Sequence, residues 1–166
     1  MLTRDKLTDA EWRAVRNTPH HVIVAVSSSG GSAFDDMLER HAGLKSVVGA
    51  MDSTHPLLRE IAASTAIMSA QDEIREWYDK LPEADRTLAT LQDKALESMQ
   101  QAMAALTARG GPDDRLLYGD FVIAAAKRVA RAAKEGDLLG IDGVRVSQAE
   151  QDFIARLSQL AQPRSG

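Results

Sequence analysis

Apolar residues recur along this chain at steps of three and four, and alternation at every second position is nearly absent. That spacing is the mark of amphipathic helices rather than half-buried strands. The clearest stripe is in the segment 83–109, where Leu88, Leu91, Ala95, Met99, Met103 and Leu106 share one face. Such a stripe faces either the core or another chain, since methionine-bearing faces also serve adaptable interfaces. Alanine is abundant and costs no side-chain entropy when ordered in a helix. The pattern predicts helices over about 9–17, 19–29, 33–51, 55–80, 83–109, 112–135 and 148–161, with a break near Ser69 in the fourth.

Boundary residues agree with that division. Thr8 precedes Glu11 by three, and Ser147 precedes Glu150 by three, the spacing of a capping box. Thr18-Pro19 reads as a cap followed by proline at the first helical position, where its missing N–H costs nothing. Ser32 precedes Asp35 by three, Thr54 lies just before Pro56, and Pro82 and Pro112 open later segments. Gly30-Gly31, Gly110-Gly111 and Gly136 fall just past periodic stretches, where helices close. The expectation is an all-α, single-domain bundle of six or seven helices spanning 1–161, packed as antiparallel hairpins, with a frayed tail at 162–166. A short helix, glycine turn and capped helix at 20–35 repeats the plan of 121–150, so the bundle is possible as a degenerate duplication of helical hairpins.

Composition narrows the function classes. The 166 residues contain no cysteine, which excludes disulfides, thiolate catalysis and cysteine zinc sites. Net charge is −4 with both signs interspersed, so no nucleic-acid partner is expected. No basic-then-apolar leader and no apolar run near 18 residues occurs, so neither a signal peptide nor a transmembrane segment is expected. Usage rich in alanine, arginine and aspartate suggests a bacterial, cytoplasmic protein.

The stretch Phe121–Leu160 holds the most unusual loop. It places Leu138, Leu139, Ile141, Val144 and Val146 beside Asp137, Asp142 and several glycines. Those leucines and the isoleucine, together with Met99 and Met103, are the candidate interaction residues, and they imply a protein partner or self-association. Asp137, Asp142 and Glu150 are candidate ligands for a divalent metal, since calcium and magnesium take hard oxygen donors. An EF-hand is excluded by register: with Asp142 and Gly143 at loop positions five and six, position one is Leu138 and position twelve is Ala149. The competing role is turn and helix capping by the same acids.

Other motifs are plainer. The histidines are His20, His21, His41 and His55. The residues three before them are Asn17, Thr18, Leu38 and Asp52, so no Glu-x-x-His pair exists, and surface or capping roles are expected. Ser27-Ser28-Ser29-Gly30-Gly31 lacks the lysine of a phosphate loop and reads as a helix end. Lys127, Arg131 and Lys134 make a basic stripe opposite Val122, Ala125, Ala126, Val129 and Ala133, the ordinary amphipathic division. Trp12, Trp77 and Tyr78 are expected as core or rim anchors. No catalytic residues are assigned.

The run Val129-Ala-Arg-Ala-Ala-Lys-Glu-Gly136, followed by Val146-Ser-Gln-Ala-Glu150, resembles the tellurite-resistance TerB-like helical family over about 30 residues. The chain departs from that pattern in its longer apolar loop and in having Ser28-Ser29-Gly30 where an acid is expected. The resemblance implies an all-helical fold, an acidic metal cluster at Asp137, Asp142 and Glu150, and a stress-response role. Three function readings follow: a non-enzymatic helical interaction module of a bacterial assembly, a divalent-metal-binding protein of TerB-like type, and an enzyme or small-molecule carrier with a pocket between helices. No resident organic cofactor is expected.

Overall fold

The computed structural model describes residues 1–28, 42–137 and 148–162. Among these residues are seven α-helices and no strand: α1 (Asp9–Ser27), α2 (Ala42–Gly49), α3 (Pro56–Ala62), α4 (Ser64–Asp79), α5 (Leu88–Arg109), α6 (Pro112–Asp137) and α7 (Gln148–Ala161). The chain is an all-α bundle, as its periodicity predicts. No helix among the described residues is long and apolar enough to cross a membrane.

Helix α1 is the centre of the bundle. It packs on α5, α6, α4 and α2, while α7 closes over α5 and α6. Its capping box forms as the sequence predicts: the Glu11 amide donates to Thr8 Oγ1 at 3.2 Å, and the Thr8 amide donates to Glu11 at 2.7 Å. Beyond its first turns the helix has no solvent face, and every residue from Val15 to Val26 is buried. A helix covered on all sides must satisfy its polar side chains from its neighbours. Arg16, Asn17, Thr18, His20 and His21 are such groups.

The expected break before Pro19 is absent: one helix replaces two, and Pro19 lies inside it. Proline offers no N–H to the carbonyl four residues back, here Val15. The hydroxyl of Tyr118, on α6, supplies the missing donor at 2.7 Å. Thr18, expected to cap a new helix, instead bonds back to the Ala14 carbonyl at 2.7 Å.

Two other boundaries differ. The expected 55–80 helix breaks at Ala63, whose backbone is extended, and not near Ser69. The buried residues explain the break. Leu57, Leu58, Ile61 and Ala62 of α3, and Ala66, Ile67, Ala70 and Ile74 of α4, would lie on roughly opposite faces of one unbroken helix. Both sets reach the core only if the chain turns between them. The segment expected from residue 83 makes a 3₁₀ turn at Glu83–Asp85, and α5 starts at Leu88 with Thr87 as its cap.

Candidate functional site

The break at Ala63 also shapes one recess among the described residues. Helix α4 packs on α1 and leaves an open cleft of about 660 Å³ between α1, α4 and α5. Its α1 wall includes Asn17 and His21, its α4 wall Glu73 and Trp77, and its α5 wall Lys94 and Ser98.

The α1 side is anchored by one carboxylate. Glu73 meets Arg16 Nη2 at 2.6 Å and Arg13 Nε at 3.4 Å, and accepts from Asn17 Nδ2 at 2.8 Å. Arg16 Nε donates to Asn17 Oδ1 at 2.9 Å, closing the network. Burial pushes the Glu73 carboxyl up, but the bonds from Arg16 and Asn17 and the two arginine charges outweigh it and hold it below its ordinary range. Deeper in, Thr18 Oγ1 and Ser98 Oγ share a hydrogen bond of 2.9 Å.

Trp77 forms the other side. Its ring meets His21 edge-on, with centroids 5.7 Å apart, and the Lys94 ammonium lies 5.8 Å from its centroid. Lys94 also pairs with Glu97 at 2.8 Å. His21 is 7% exposed and lines the cleft. No described protein group hydrogen-bonds its ring. Burial, then the Lys94 charge and His20, pull its pKa down to about 3 against the opposing pull of Glu73. At neutral pH it is an uncharged imidazole, able to donate from one nitrogen and accept at the other.

The Ser98 hydroxyl is engaged with Thr18, and no hydrogen bond joins it to His21 among the described residues. A serine without a bonded base lacks the activation that covalent catalysis requires.

A second buried histidine serves the fold. His55 Nε2 lies 2.6 Å from Asp114 Oδ1, which also accepts from the Leu2 amide at 2.8 Å. Asp114 Oδ2 accepts from the Gly111 amide at 2.8 Å. Burial would raise the Asp114 pKa, but the two amides, the His55 ring and the N-terminal charge bring it to about 2. The carboxylate thereby ties the N-terminal segment, the start of α3 and the start of α6 together.

The residues singled out from sequence fall elsewhere. Asp137 ends α6, and nothing is described of its side chain. Asp142, Leu138, Leu139 and Ile141 lie outside the described residues, as do His41 and the cap residue Ser147. Glu150 is buried in the first turn of α7. Among the described residues no group of three or more histidines and acids is placed to hold a metal ion. Met99 and Met103 are core residues of this chain, 0% and 4% exposed, so their stripe is used internally and offers little surface to a partner. The expected surface placement of the histidines is corrected for His20, His21 and His55, which are buried because α1 is central and the α3 start abuts α6. Trp12, Trp77 and Tyr78 are partly buried anchors packed on the core, as expected.

His21, Glu73 and Lys94 were not marked by any motif. The available signal was the absence of a polar face: Arg16-Asn17-Thr18 and His20-His21 run directly into Val22-Ile-Val-Ala-Val26. In one continuous helix that combination places polar groups in the interior. No protein-family model matches the chain, and no curated protein or solved structure matches it either.

Proposed function

We propose that this protein is a non-enzymatic helical binding module whose ligand is a small molecule held in the cleft between α1, α4 and α5. One observation carries the reading: the cleft is lined by a neutral imidazole, His21, that is 7% exposed and has no hydrogen bond to the described residues. Buried polar groups are overwhelmingly paired, so one directed into a recess is explained by what the recess receives. Clefts between helices of a bundle, with a few convergent polar groups, are common ligand sites, and 660 Å³ is a suitable size. A thermal-shift screen of small molecules against the full chain tests this. The expected result is hits whose stabilisation is lost in Lys94→Met and His21→Gln while both variants remain folded. Hits that stabilise both variants and wild type equally place the site elsewhere.

A second reading, an interaction module acting through self-association, is favoured by Leu116 and Leu117. They are 46% and 39% exposed and adjacent near the start of α6, beside an apolar recess over Gly110, Gly111 and Pro112. Sedimentation velocity of wild type and Leu116→Ser/Leu117→Ser tests it. A dimer that the double substitution dissociates supports this reading, and a wild-type monomer at high concentration removes it.

A further inference from the structure

We propose that the cleft takes a small organic anion, with its charged group between Lys94 and His21 and its apolar or planar body along Trp77. The inference deepens the ligand-site reading and rests on it.

Charge balance comes first. The cations on or behind the walls are Arg13, Arg16, Lys80 and Lys94, and the carboxylates meeting them are Glu73, Glu76 and Glu97. Glu73 answers two arginines, so one positive charge is left over, in a chain whose net charge is −4. The lining is mostly polar and charged, so this surplus sets the sign of the charge that the cleft receives best.

The wall chemistry points the same way. A cationic ligand would seek an aromatic face or a free carboxylate. The Trp77 ring already has the Lys94 ammonium beside it, Glu73 is bonded to Arg16 and Asn17, and Glu76 is paired with Lys80. An anion meets donors instead: the Lys94 ammonium, which keeps further N–H donors beyond its pair with Glu97, and the His21 ring, which no described residue hydrogen-bonds, both against the same indole. Charge-assisted bonds to both give orientation as well as affinity.

Binding should leave a proton signature. The charged and titratable groups acting on the His21 ring are His20 on α1, Glu73 on α4 and Lys94 on α5. A bound carboxylate adds negative charge to this set and offsets Lys94, which favours the imidazolium. The ligand therefore shifts the ring towards protonation, and any proton linked to binding makes affinity rise as pH falls.

The test is a titration of the full chain with benzoate, benzamide, benzamidine and inorganic phosphate. Imidazole and indole N–H signals are followed by NMR at pH 7.0 and 5.5. Benzoate is expected to move the His21 and Trp77 signals. Its Kd should tighten as pH falls, by at most about tenfold per pH unit for one linked proton. His21→Gln should abolish the pH dependence, and Lys94→Met should weaken benzoate about tenfold while leaving the far-UV spectrum unchanged. Benzamide or benzamidine binding the cleft as tightly as benzoate overturns the anion preference and leaves the ligand-site reading standing. Phosphate binding as tightly as benzoate overturns the role given to Trp77. If no probe moves either signal, the inference is overturned, and the thermal-shift screen decides the underlying reading separately.

Discussion

The Tyr118 hydroxyl donates to the Val15 carbonyl at 2.7 Å, replacing the donor that Pro19 removes from α1. This contact lets the central helix continue past an interior proline. Burial raises the phenol pKa well above its ordinary value, so the hydroxyl keeps its proton at every working pH. Tyr118→Phe leaves a buried carbonyl without a partner, and the expected cost is about 1–3 kcal/mol. In a Pro19→Ala background residue 19 regains its N–H, and the cost of Tyr118→Phe should fall by at least half. Urea unfolding of the four proteins in this cycle checks it. An equal cost in both backgrounds would separate Tyr118 from Pro19.

At Gly119 the backbone of α6 comes close to α7. A Cβ placed there would lie 2.8 Å from the Ala161 Cβ and 3.5 Å from its Cα. In an open helical position glycine to alanine gains about 1 kcal/mol of stability. Here the contact reverses the sign, and Gly119→Ala should destabilise by about 1–3 kcal/mol. Ala161→Gly in the same chain should recover most of the loss. Stabilisation by Gly119→Ala alone would show that α7 yields freely.

Acid should destabilise the protein in two steps. His21 has a pKa of about 3 in the folded protein against the ordinary 6.5 of an exposed histidine, so below pH 6.5 the unfolded chain binds the extra proton. Stability then falls as pH drops from 6.5 towards 3, by up to about 5 kcal/mol in total. Asp114 acts lower: its pKa of about 2 sits beneath the ordinary 3.8, so its contribution, roughly 2 kcal/mol, is lost as pH falls from 3.8 through 2. His21→Gln should flatten the upper step, and Asp114→Asn the lower. Urea midpoints between pH 7 and 2 read both, and an upper step unchanged in His21→Gln would reject the assignment.

Met99→Glu distinguishes core from interface. Met99 is 0% exposed in the middle of α5. A carboxylate there has no described ionic partner, and burying it costs several kcal/mol. Circular dichroism should show loss of the fold at physiological temperature. A fully helical Met99→Glu protein would mean that this face is less enclosed than the structure places it.

Much of the fold was legible because helix periodicity and caps are local. The stripe from Leu91 to Leu106 and the Thr8–Glu11 box are set by residues three and four apart. The failures came from distant partners. Pro19 reads as a helix start until Tyr118, far along the chain, supplies the donor for Val15. The turn at Ala63 has no glycine or proline, and its only trace is the shift in buried phase between Ile61 and Ile67. The cleft was illegible for a related reason. His21, Trp77 and Lys94 come from three helices, and no spacing along the sequence links them.

The most direct test of the cleft as the ligand site is a backbone and side-chain NMR map with the tightest hit from the thermal-shift screen. The expected perturbations centre on Asn17, His21, Trp77, Lys94 and Ser98. Perturbations centred instead on the groove between α5 and α7, around Ala104 and Leu160, would contradict the assignment.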